Sequence, residues 1–186
     1  MIAWRWCMLA ISSGGFIGFI PGWLTKRPGK FGGTAGSLFA VIIQVLLLMY
    51  VSNPVAWSLG FIVITMALGL LSISTGERLM YDKWGSGKRH TGKVVKHDRN
   101  ETCIDEICGQ LLAGLPVFLL PLDAGHQRII GLIIAFILFR LFDGYKPWPI
   151  KTIEQWCGPT AFGIMFDDIV AGIIVASIIT LNNFFG

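Results

Sequence analysis

The chain has 186 residues, enough for one domain over residues 1–186. It is 54% hydrophobic and 14% charged, with a mean hydropathy of +0.67, where soluble domains carry about 25% charged residues. That balance excludes an ordinary soluble domain and makes lipid the expected solvent; the net charge of +4 matters less than where it falls, and no nucleic-acid partner is expected.

In chain order, Trp6 to Trp23 is apolar but holds Ser12, Ser13, Gly14, Gly15, Gly18 and Pro21. Only Arg5 precedes it, so it reads as part of the mature protein, a re-entrant or in-plane segment in preference to a sixth span. A helix needs about 20 apolar residues to cross the hydrocarbon. Thr34–Val51 and Val55–Thr75 meet this, with only Ser52-Asn53-Pro54 between them, which predicts a tight antiparallel hairpin. Ile104–Leu122, Ile129–Phe142 and Pro159–Leu181 complete an expected all-α polytopic bundle of about five transmembrane helices. The four cysteines, Cys7, Cys103, Cys108 and Cys157, form no C-x-x-C pair and are expected as buried thiols. The tryptophans fall near span ends, as an interfacial belt would.

Threading these spans alternately gathers the basic residues. Lys26, Arg27 and Lys30, then Arg78, Lys83, Lys88, Arg89, Lys93, Lys96 and Arg99, then Lys146 and Lys151 all fall on one side. The opposite loops hold only Arg128. The positive-inside rule makes the basic side cytoplasmic, where it would attract anionic lipid head groups.

The acidic residues converge on the same face. Asp105 and Glu106 open the third span, Asp143 closes the fourth, and Asp167 and Asp168 lie near the start of the fifth. An acid at a helix centre costs about 2.5–3.5 kcal/mol on insertion scales, and five near one face call for a compensating cation. Mg2+ is the expected one, since it takes one or two carboxylates together with water and phosphate oxygens. Arg140 and Asp143, three apart, share a helix face, and Lys146 follows before Pro147 and Pro149 end the helix. A guanidinium suits bidentate phosphate contact and an ammonium a point contact. Gly32-Gly33-Thr34-Ala35-Gly36-Ser37 opens the first span, where a helix N-terminus offers free N–H groups and the Thr34 and Ser37 hydroxyls to an anion. Glu77, Asp98, Glu101, His90 and His97 are expected on solvated surface.

Four phrases then stand out: GTAGSL (33–38), CIDEICGQLLAG (103–114), FRLFDGYKPWPI (139–150) and GIMFDDIVAGI (163–173). In these the chain resembles the phosphatidylglycerophosphatase A family, departing from it in having Gly32 where the family usually has proline, and in a longer, more basic Lys83–Lys96 loop. The resemblance implies a Mg2+-dependent lipid phosphatase at the cytoplasmic face of a bacterial inner membrane. It would remove the terminal phosphate of phosphatidylglycerophosphate to give phosphatidylglycerol.

On this reading Asp105, Glu106, Asp143, Asp167 and Asp168 hold one or two Mg2+ ions. Arg140 and Lys146 neutralise the phosphoryl oxygens, and Thr34 and Ser37 contact the phosphate or glycerol. Direct attack by an aspartate and base catalysis on water both stay open. The expected partners are the lipid substrate and anionic membrane lipids, with self-association open. A CDP-alcohol phosphatidyltransferase is the rival enzyme, but Asp143-Gly144 is not followed by the Ala-Arg and spaced aspartates of that class. A small transporter is the non-enzyme rival, and it would place charges near the bilayer midplane.

Overall fold

A computed structural model describes residues 2–25, 31–84, 87–88, 94–95, 101–120, 125–158 and 160–185. Lys26, Arg27, Lys30, His90, His97 and Asp98 lie outside the described residues. Among the described residues eight α-helices follow in order: α1 (Ile2–Ser12), α2 (Ile20–Thr25), α3 (Gly32–Tyr50), α4 (Pro54–Trp84), α5 (Ile104–Gly114), α6 (Gly125–Tyr145), α7 (Ile150–Cys157) and α8 (Ala161–Phe185). Short 3-10 turns at Ile17–Phe19 and Leu115–Phe118 precede α2 and extend α5. A two-residue antiparallel pairing joins Gly87–Lys88 to Val94–Val95.

Only residues 51–53 separate α3 from α4, the short connection expected from the sequence. Val51 turns extended to end α3. The Asn53 side chain then accepts from the Ala56 N–H at 3.1 Å, capping α4, and Pro54 takes the first helical position. Leu38, Ile42 and Leu46 on α3, Val63, Ile64 and Leu71 on α4, and Ile173 and Leu181 on α8 are exposed. Such a surface needs lipid, not water.

Among the described residues three helices, α3, α4 and α8, are long and apolar enough to cross a membrane, and the broken pair α1–α2, bent by 71°, makes a fourth if counted as one span. The sequence suggested about five. The difference lies partly in the stretch from Ile104, where α5 gives way to a 3-10 turn holding Pro116. Eleven α-helical residues rise about 16 Å, short of the ~30 Å hydrocarbon. The proline removes a backbone donor and ends the regular ladder.

Helix α4, at 31 residues, is about 46 Å long and overshoots the bilayer. Its last turns carry α1. Arg5 pairs with Asp82, the Lys83 ammonium lies 4.3 Å from the Trp6 ring centroid, and Gly76 leaves room for the Ser12 hydroxyl. The turn after α1 then docks on the segment leading into α5. There the Cys103 N–H donates to the Ser12 carbonyl at 3.0 Å, and a side chain at Gly18 would collide with the Glu101 carbonyl.

Helix α5 is the centre of the bundle. All its residues except Glu106 and Leu112 are buried, packed by α8, α3, α4 and α6. Close approach depends on glycine. A Cβ at Gly172 would lie 2.4 Å from the Gly109 carbonyl oxygen, and one at Gly109 would lie 2.7 Å from the Asp168 carbonyl oxygen. Small residues let helix backbones touch where lipid supplies no hydrophobic driving force. This contact sets the start of α8 against the start of α5.

Candidate metal centre

The close α5–α8 packing brings three carboxylates together. Asp105 and Glu106 lie in the first turn of α5. With Asp168 of α8 they place ligand oxygens within 4.8 Å of one another. Asp105 and Asp168 are buried, and Glu106 is half-buried. Asp105 Oδ1 and Glu106 Oε2 are buried without a hydrogen-bond partner among the described residues. Like charges held this close repel, and orphaned acceptor oxygens cost free energy. A hard divalent cation answers both, because its ligands are carboxylate oxygens. The donor set therefore fits Mg2+.

Gly33 makes the seat for Glu106. A Cβ there would lie 1.9 Å from Glu106 Oε1 and 3.4 Å from Arg140 Nη1. One turn along α3, the Ser37 hydroxyl donates to the Gly33 carbonyl at 3.0 Å and accepts a long 3.4 Å contact from Arg140 Nη1. Thr34 is half-buried in the same turn.

Two ion pairs flank the cluster. Arg140 Nη1 lies 2.7 Å from Asp143 Oδ2, three residues apart on α6. Lys146 pairs with Asp167 and reaches Glu154 Oε1 of α7 at 3.1 Å. Lys146 sits just past α6 with φ 43, closing that helix by donating its N–H to the Phe142 carbonyl at 2.8 Å. A left-handed conformation is strained for any residue but glycine and persists only where surroundings hold it; here the two carboxylates hold it. Burial alone would lower the Lys146 pKa. The charge and hydrogen bond of Asp167 outweigh burial and hold the ammonium above its usual range. The Asp168 N–H donates to Asp167 Oδ1 at 3.1 Å, so the two neighbours share one local geometry but turn to different partners.

The acids expected to act together therefore divide. Asp105, Glu106 and Asp168 form the cluster, while Asp143 and Asp167 hold Arg140 and Lys146 at its edge. Glu154 was not singled out from sequence; it follows Lys146 by eight residues across a turn that periodicity does not define.

Glu77 and Glu101 correct the expectation of solvated residues, being 2% and 5% exposed, because α1 and the turn after it cover this part of the chain. The cysteines are all free. Cys103 and Cys108 are buried as expected, but Cys7 is exposed and Cys157 half-buried. Burial pushes the Cys103 thiol far above its ordinary range, and the nearby Glu106 adds to the rise. A thiol in that state is no nucleophile.

Comparison with known proteins places this chain in a family. The family model described as phosphatidylglycerophosphatase A matches residues 10–183. A phosphatidylglycerophosphatase A of Haemophilus influenzae is 28% identical over 165 residues, 88% of this chain and 83% of the relative. The Escherichia coli strain K12 protein of the same name is 30% identical over 148 residues, 79% of this chain and 71% of the relative. A putative phosphatidylinositol-3-phosphatase of Bacteroides thetaiotaomicron is 29% identical over 143 residues, 76% of each chain. No solved structure matches significantly. With nearly its whole length matched, and with the cluster on the phrases CIDEICG and FDDIV inside that match, the chain belongs to the phosphatidylglycerophosphatase A family.

Proposed function

We propose that this protein is a Mg2+-dependent lipid phosphatase. It hydrolyses the terminal phosphomonoester of phosphatidylglycerophosphate to phosphatidylglycerol and phosphate at the cytoplasmic face of a bacterial inner membrane. The observation that carries the reading is the cluster of Asp105, Glu106 and Asp168 with the cations Arg140 and Lys146 near it, in a chain of this family.

The chain crosses the membrane with α3, α4, α6 and α8, and with α5 continued by its 3-10 turn as a broken span. Helices α1 and α2 dip in from the cytoplasmic side. The basic segments then lie in the cytoplasm and favour anionic lipids. The same end of the bundle carries the first turns of α3 and α5, the last turn of α6 and the early turns of α8, and so the site.

Asp105, Glu106 and Asp168 would hold the cation, which supplies charge neutralisation at the phosphoryl group and a more acidic bound water. Arg140, fixed by Asp143 and Ser37, presents its guanidinium to non-bridging phosphate oxygens. Lys146, fixed by Asp167 and Glu154, supplies a second positive charge. Both cations are positioned before substrate arrives, which removes reorganisation from the barrier. Thr34, in the first turn of α3, adds a hydroxyl at the same anion-binding end of that helix.

Purified protein in detergent micelles, given phosphatidylglycerophosphate with Mg2+ or with EDTA, tests this directly. Phosphate release with Mg2+ alone, accompanied by phosphatidylglycerol, is the expected result. Equal release in EDTA, or none in either, refutes it. A phosphorylated inositol lipid run in parallel measures how far the head-group range extends towards that named for the Bacteroides relative.

A further inference from the structure

Gln110 lies on α5 four residues after Glu106, and so on the same helix face. It is fully buried. Neither its Nε2 nor its Oε1 has a hydrogen-bond partner among the described residues. A buried carboxamide with both ends unsatisfied is costly, and protein interiors satisfy such groups with ordered water.

Helix geometry relates the two. Side chains on an α-helix lean back towards the helix N-terminus, so Gln110 extends along its face towards Glu106, one turn ahead. There Glu106 Oε2 is itself buried without a partner among the described residues. The amide brings two N–H groups with nothing to receive them, and the carboxylate oxygen accepts from nothing. Gln110 Nε2 and Glu106 Oε2 are complementary, and a single water accepting from the amide and donating to the carboxylate gives each of these two atoms a partner.

A second buried amide shows what a purely structural role looks like. Gln44 of α3 is equally buried and its Oε1 also lacks a partner among the described residues, but its Nε2 donates to the Leu111 carbonyl at 3.1 Å, and it packs on Gly114 at the inner end of α5. It ties two helices together away from the carboxylates.

We propose that Gln110 is a positioning residue of the metal centre. It holds Glu106 through one buried water and thereby fixes the rotation at which that carboxylate meets the cation shared with Asp105 and Asp168. This rests on reading the three carboxylates as a metal centre. Residues that orient a ligand from behind typically change metal affinity 10- to 100-fold when replaced.

The test uses full-length, metal-free protein in detergent and reads Mg2+ binding by titration calorimetry, with thermal unfolding measured alongside. Gln110→Met keeps the length and removes both hydrogen-bonding atoms. Its Mg2+ affinity should fall about tenfold or more while its metal-free unfolding temperature stays level or rises. Gln44→Met should do the reverse, lowering the unfolding temperature and leaving Mg2+ affinity within twofold of wild type. Gln110→Asn, too short to reach the shared water, should also lose affinity, which keeps the test open if the methionine variant does not fold. Mg2+ affinity within twofold of wild type in either folded Gln110 variant overturns the proposal. Failure of the wild-type protein to bind Mg2+ refutes the metal-centre reading itself and is a separate outcome.

Discussion

Gly33→Ala separates the function of the site from the stability of the fold. The added Cβ would lie 1.9 Å from Glu106 Oε1 and 2.7 Å from its Cδ, where real Cβ contacts stay beyond 3.0 Å. The shortfall is about 1 Å. The atoms in the way are the far end of a flexible side chain, so Glu106 can retreat and the backbone need not. Alanine also favours a helix over glycine, by up to about 1 kcal/mol. The fold should therefore be as stable as wild type or slightly more so. Activity should not survive as well, because a displacement of about 1 Å in a positioned group costs on the order of a hundredfold in rate. Phosphate release from phosphatidylglycerophosphate and thermal unfolding, measured on the same preparation, give the two numbers. Gly36→Ala is the contrast. Its Cβ would lie 2.8 Å from the backbone oxygen and the Cβ of Cys103, neither of which can swing aside, so stability should fall with activity. A Gly33→Ala enzyme within threefold of wild-type activity would refute the placement of Glu106 at the reacting centre.

Three further outcomes are expected. Asp168→Asn should abolish detectable Mg2+ binding in calorimetry, whereas Asp167→Asn should bind Mg2+ but work slowly because Lys146 is then held by Glu154 alone; equal loss of binding in both would refute the division of the acids. Lys146→Met should lower stability by about 2 kcal/mol in chemical or thermal unfolding, since it strands Asp167 with a side chain only 6% exposed. The raised Lys146 pKa means this stabilisation is fully present below the usual lysine value of 10.5 and is lost only as pH rises through the still higher folded value. The wild-type minus Lys146→Met difference should thus stay constant from neutrality to about pH 10, and a decline across that range would contradict the ion-pair assignment. Finally, EDTA should lower the unfolding temperature of the wild-type protein, and Mg2+ should restore it, because the cation binds the folded cluster and not the unfolded chain.

Much of this architecture was legible in the sequence, for reasons that differ by element. The helices α3, α4 and α8 follow from uninterrupted apolar runs, which decide membrane insertion almost alone. Asp105-Glu106 and Asp167-Asp168 stood out because acids are costly inside such runs. That Asp105, Glu106 and Asp168 gather while Asp143 and Asp167 pair with Arg140 and Lys146 was not legible, since it depends on the rotation of each helix about its axis. The break after Gly114 was marked by Pro116, yet the surrounding residues are as apolar as those of an unbroken span. Glu77 and Glu101 looked solvated because the covering helix α1 lies some 65 residues or more away in sequence. Gln110 gave no signal, because a lone amide in an apolar stretch reads the same whether it is structural or positioning.

The glycine contact between α5 and α8 has a mechanical consequence. Gly109 follows Asp105 by four residues, and Gly172 follows Asp168 by four, so the point where the two backbones touch lies one turn inward of the carboxylates. The pair of helices is therefore a jaw with its fulcrum at the glycines and its grip at the acids. Any side chain forced into the fulcrum spreads the grip without touching a ligand. Substitutions at Gly109 and Gly172 would then surface in screens as losses of metal affinity, although neither residue has a side chain that could bind metal.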